Sequence, residues 1–261
     1  MIIIIIVKII IIVIQTNFKL FFRSMKGSKR GVSTQIIAEV PKAVYIHCLN
    51  HSLNLSVRDI LELIKMIKEA LGYSYEVIKL IAKSPKRETM MKDLKLEYLD
   101  DSIGIHEFSK TRFTVKHKSL FSIIANYNYI DEVLEKSIET EKNPNLLVRM
   151  KGVRTSMEKF SYYYGISLAY LILRITDGLA VSLQSKGLTA LEGQELGNIT
   201  RDTLKSLKTD EEFDNFWSRV RNEATEKQII DEPMLPKKPR KKPVRLIIII
   251  IVKHNNYSKK L

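Results

Sequence analysis

Cysteine is almost missing from this sequence: Cys48 is the only one in 261 residues. That excludes an intramolecular disulfide framework and fits a reducing compartment. It also leaves a structural zinc site short of ligands. Cys48 and His51 have Cys-x-x-His spacing, with His47 adjacent, but there is no second cysteine and His106, His117 and His254 are scattered, so no metal is assigned. Acidic residues are the scarcer charge. Asp and Glu number 29 against 43 Lys and Arg, giving a net charge of +14 and a pI near 9.6. A polyanionic partner, nucleic acid or an anionic membrane surface, is the first implication. Codon drift in an AT-rich genome, which inflates Lys and Ile together, is the competing explanation of the same numbers.

Uninterrupted membrane-length runs are also lacking. Residues 2–14 read IIIIIVKIIIIVI, and the string IIIIIVK of residues 2–8 returns at residues 247–253. Lys8 interrupts the first run, which falls short of the roughly 20 apolar residues that cross a bilayer. Met1 leads directly into isoleucine, without the basic region of a secretory signal. Both ends read as low-complexity, aggregation-prone sequence. A membrane anchor through the first run, extended by Phe18, Leu20, Phe21 and Phe22, is the alternative.

What is present between the ends is the pattern of a folded protein. Ala43-Val44-Tyr45-Ile46 is short, apolar and β-favouring after Pro41, and is predicted to be a strand. Leu53, Val57, Ile60, Leu61, Ile64, Ile67 and Leu71 then recur at steps of three and four, predicting one helix that Gly72 stops. Strand then helix is the local grammar of an α/β layer. Beyond it no further alternation suggests strands. Helices are predicted over Ser74–Ala82, Glu88–Leu96, Val115–Glu139, Pro144–Gly152, Val153–Gln184, Ala190–Leu207 and Asp210–Lys227, with breaks at Pro85, Gly104, Pro144 and Gly187 and a further break near Gly165. The expected fold class is α-dominant α/β: strand plus helix around Ala43–Leu71 and a large helical domain. Residues 233–245, PMLPKKPRKKPVR, form a basic proline-rich linker. Its Lys237, Lys238, Arg240, Lys241 and Lys242 are candidates for phosphate contact or nuclear import.

Several strings resemble one family in order. Cys48-Leu-Asn-His51-Ser-Leu53-Asn54-Leu55 looks like the CxxHxLNL motif of hAT-superfamily transposases and of the transposon-derived zinc-finger MYM-type and THAP-related proteins. Ser24-Met25-Lys26-Gly27 resembles the segment after that family's second catalytic aspartate. Ser84-Pro85-Lys86-Arg87, Thr111-Arg112-Phe113, Asn126-Tyr127, Leu183-Gln184 and the basic linker resemble further stretches, the second normally Thr-Arg-Trp. Singly each is weak; the ordered series from Ser24 to Arg245 carries the resemblance. It implies a partial RNase H-like fold over residues 24–72 and a helical insertion domain over 73–232, between low-complexity ends at 1–23 and 246–261.

The resemblance also implies an enzyme that this chain does not match. Such transposases hold two magnesium ions with three carboxylates. The first would lie upstream of Ser24, in the isoleucine run. The second would fall near Leu20, inside KLFFR, and the last beyond the linker. None is acidic here, so no catalytic residue and no cofactor is assigned. The expectation is a truncated, inactive transposase-derived protein of the nucleus with residual DNA binding. Its alternatives are a protein-interaction or self-association module and a membrane-tethered basic protein. Candidate DNA contacts are Lys110, Arg112, Lys116 and Lys118, which enter a helix, together with the linker cations. Asp100, Asp101, Asp131 and Asp177 are read as solvated faces or caps. Phe160, Tyr162, Tyr163 and Tyr164 resemble a stacking platform by composition, but inside a predicted core helix they are read as packing, as is Trp217.

Overall fold

A computed structural model describes residues 32–40, 49–109, 113–185, 187–207 and 209–229. Every regular element among them is an α-helix: α1 (Val32–Glu39), α2 (Leu49–Glu62), α3 (Lys65–Ala82), α4 (Pro85–Glu97), α5 (Lys116–Ala125), α6 (Tyr127–Thr140), α7 (Pro144–Met157), α8 (Phe160–Ser182), α9 (Ala190–Ser206) and α10 (Asp210–Glu226). The expected α/β class, with a partial RNase H-like layer, is therefore corrected to a helical bundle. The expected strand Ala43–Ile46 lies outside the described residues. The apolar face that was to cover a sheet, Leu53, Val57, Ile60 and Leu61, is buried instead against α3 and α8.

Helix starts follow from local chemistry. Ser84 caps α4 and Asn143 caps α7, each just before a proline at the first helical position, where a missing N–H removes no bond. Thr189 and Glu192 form a reciprocal capping box at α9, and Thr209 caps α10 above Asp210, Glu211 and Glu212, which complement the positive helix end.

The core is organised around α8. Its residues Tyr163, Ile166, Leu168, Ala169, Ile172 and Leu173 are fully buried, and α2, α3, α5, α7, α9 and α10 pack on it. Helices α4 and α6 form an outer layer, α4 on α3 and α6, α6 on α7. Several predicted boundaries move. Gly72 does not stop a helix but lies inside α3; the break is at Leu63–Ile64, where Ile64 is extended. The predicted Val115–Glu139 helix is interrupted at Asn126, and α8 starts at Phe160 rather than Val153. Gly165 is not a break. A Cβ built there would stand 2.8 Å from Ala70 Cβ and 3.3 Å from the Met66 carbonyl oxygen, so glycine lets α8 cross α3 closely.

By length and composition α8 is the one described helix that could cross a membrane, yet 61% of its apolar window is buried inside the bundle. Its apolarity is that of a mostly buried core helix, with Arg174, Gly178 and Val181 left exposed along one edge.

Candidate functional site

The segment Cys48–Leu55 opens a helix rather than ending a strand. Cys48 lies outside the described residues. His51 is exposed on the first turn of α2, Leu53 and Asn54 are buried, and Leu55 is half-buried. Leu53 belongs to the core. Asn54, 6% exposed, does more. Its amide nitrogen donates to the Asn50 carbonyl and to Asn50 Oδ1, each at 2.9 Å, while its Oδ1 accepts from the Thr114 backbone N–H at 3.0 Å. Thr114 directly follows Thr111-Arg112-Phe113, so two segments 60 residues apart in the chain meet at one buried hydrogen bond.

The contact extends into a polar cluster that sequence reasoning missed. Thr114 Oγ1 stands 2.9 Å from Asp177 Oδ1 and 3.2 Å from Asn54 Oδ1. A hydroxyl has one proton, and the carboxylate is the stronger acceptor, so Thr114 donates to Asp177. His117 Nδ1 lies 3.1 Å from the Thr114 carbonyl and 3.7 Å from Asp177 Oδ2. A carbonyl only accepts, so this nitrogen carries the proton. Asp177 is only 8% exposed, which corrects its reading as a solvated residue. The available signal was a lone carboxylate in the most apolar helix of the chain. These bonds join α2, α8 and the segment leading into α5.

The other acids are spent separately. Asp131 pairs with Arg154 at 3.0 Å, and Asp100 accepts from the Ser102 N–H at 2.7 Å, which holds its carboxyl below the usual range. Among the described residues no three His, Cys, Asp or Glu side chains converge. The described part therefore offers no seat for the paired magnesium ions that the resemblance implies.

Of the candidate DNA contacts, only Lys116 and Lys118 are among the described residues. Lys110, Arg112, Lys237, Lys238, Arg240, Lys241 and Lys242 lie outside the described residues. Lys118 is exposed. Lys116 turns inward: its Nζ stands 4.3 Å from the Phe113 ring centre and 5.4 Å from that of Phe108. Burial lowers its pKa, opposed by Glu62 and reinforced by Arg58. Lys116 is thus half-buried against the loop that carries these two rings.

The aromatic run on α8 is core. Phe160, Tyr162, Tyr163 and Tyr164 are at most 4% exposed. Tyr163 donates to Glu223 at 2.9 Å, and Trp217 packs edge-on against Phe160 and Tyr164 at 5.3 and 5.5 Å. Burial raises these tyrosine pKa values, that of Tyr164 to about 12.

Charge is the most informative property of the molecule. Of 43 Lys and Arg, 23 fall within the described residues, which also hold 27 of the 29 Asp and Glu. The bundle is thus slightly acidic. The whole basic excess resides in the remaining segments, with 20 cations against two carboxylates. No protein-family model matches the chain, and no solved structure matches it.

Proposed function

We infer that this chain is an hAT-transposase-like nuclear protein that acts as a DNA-associated binding module rather than as an enzyme, with its phosphate contacts carried by the basic segments and not by the faces of the bundle. The observation carrying this reading is the separation of charge. A helical bundle has no use for 20 cations concentrated outside it, whereas a polyanion does. The meeting of Asn54, a motif residue, with Thr114, the residue after Thr111-Arg112-Phe113, supports the resemblance. The separate engagement of Asp100, Asp131 and Asp177 supports the non-catalytic part.

The test is equilibrium binding of the full chain to duplex DNA across a salt series. Each neutralised phosphate contributes about 0.9 to the fall of log affinity with log salt. A steep linear fall is expected. Failure to bind at low salt removes the DNA reading.

A further inference from the structure

A shallow cleft opens where the end of α4 meets α6 and the last turn of α10. Tyr98, Asp100, Asn128, Tyr129, Glu132 and Lys227 line it. The Tyr98 and Tyr129 rings lie 6.0 Å apart at a 47° tilt, and the Tyr129 hydroxyl hydrogen-bonds the Asp100 carboxylate. Tyr98 is 61% exposed, beside the exposed Leu96 and Leu99. Lys95 Nζ already sits 5.8 Å from the centre of the Tyr129 ring, so this ring accepts an ammonium group on its face. Two carboxylates, Asp100 and Glu132, belong to the lining, with Lys95 near the first and Lys136 paired with the second at 2.8 Å. Leu99 and Gln228, the two non-glycine residues with positive φ among those described, at 51° and 56°, flank its lining residues Tyr98 and Lys227.

We propose that this cleft is the docking groove for the chain's own segment Pro233–Arg245. Three observations select that occupant. Pro233, Pro236 and Pro239 recur every third residue, which is the period of a polyproline II helix and places them on one edge with Lys237, Lys238, Arg240 and Lys241 on the others. A pair of tyrosines beside carboxylates is the kind of surface that receives such a helix, proline against ring and cation against acid. The chain also leaves the described bundle at this place: Lys227 is part of the lining, and the six residues from there to Pro233 span at most about 20 Å. The excess of acid on the bundle and of base on the segment favours the contact. Docking would hold the linker cations against the protein until a stronger polyanion competes for them.

Limited tryptic digestion of the full chain tests this without any DNA, so its outcome is independent of the DNA reading. The bonds after Lys237, Arg240 and Lys241 are open to trypsin, whereas Pro239 and Pro243 protect those after Lys238 and Lys242. Cleavage at the three open bonds, followed by mass spectrometry, is expected to be at least about fivefold slower than in the free peptide of the same sequence, because cleavage samples only the undocked fraction. Tyr98→Ala, at an exposed position, is expected to abolish this protection without changing the helical circular dichroism. A second variant, Pro233→Ala with Pro236→Ala, opens no new tryptic bond, leaves the bundle untouched and is expected to abolish it too. Cleavage at the free-peptide rate in the unaltered chain overturns the proposal, as does protection that survives both variants.

Discussion

Gly165 and Leu99 show opposite relations between a residue and its backbone. At Gly165 the helices α3 and α8 leave no room for a side chain, and the obstructing Met66 carbonyl belongs to the backbone, which cannot swing aside. Gly165→Ala is expected to destabilise the bundle by about 1–3 kcal/mol, seen as a lower thermal midpoint, whereas Gly178→Ala, with nothing within 4 Å of its added methyl, should not. Leu99 has φ 51° and is 92% exposed, so its side chain gains nothing from a conformation that glycine adopts freely. It ends α4 in the position where helices prefer glycine, with the Asp100 N–H donating to the Lys95 carbonyl at 2.9 Å. Leu99→Gly should relieve about 1–2 kcal/mol of left-handed strain against about 0.5–1 kcal/mol of added chain entropy. A small rise in the thermal midpoint is expected; a fall would mean that Leu99 makes a contact the bundle alone does not provide.

At the scale of elements, the cluster of Asn54, Thr114, Asp177 and His117 ties α2, α8 and the approach to α5 into one unit. Thr114→Val keeps the shape and the backbone N–H but strips a buried carboxylate of its donor, for an expected loss of about 1–3 kcal/mol. Combining it with Asp177→Ala should cost less than the sum of the two, and a strictly additive double mutant in urea unfolding would contradict a direct bond. The assembly of this cluster was not legible, because its members are spread from residue 54 to residue 177; only Asn54, within the motif, and Asp177, the lone carboxylate of an apolar helix, stood out in their own neighbourhoods. The helices themselves were legible where a cap marks them, as at Asn143-Pro144 and Thr209. They were misread where periodicity runs through a break: Leu61, Ile64 and Ile67 keep helical spacing across the turn between α2 and α3 because both helices bury the same side. Gly72 misled for the converse reason, being an exposed position of a helix held by its neighbours on α8. The α/β reading failed because it rested on the four residues Ala43–Ile46 and on a family resemblance, while the described helices find enough apolar partners among themselves.

For the whole molecule, acid and alkali should each weaken the fold for separate reasons. Glu76 is held below its usual pKa by the Arg149 guanidinium at 2.6 Å, and Asp202 is held at about 2 by Arg201 and Lys205. Carboxylates depressed on folding contribute stability above their unfolded values near 4, and that contribution is lost as the pH falls through the folded ones. Tyr162, Tyr163 and Tyr164 are raised by burial, so the neutral core tyrosines favour folding below about pH 10 and oppose it as the pH climbs further. Thermal midpoints across pH should form a plateau that falls at both ends, with the Tyr164→Phe variant losing part of the alkaline fall. The larger matter at this scale is the division of labour between an acidic bundle and basic segments, and the linker cations carry its most direct test. In the full chain, replacing Lys237, Lys238, Arg240, Lys241 and Lys242 together by Gln should reduce the slope of log DNA affinity against log salt by about 4–5, roughly 0.9 for each lost phosphate contact. An unchanged slope, with affinity intact, would contradict the account by placing the DNA contact elsewhere.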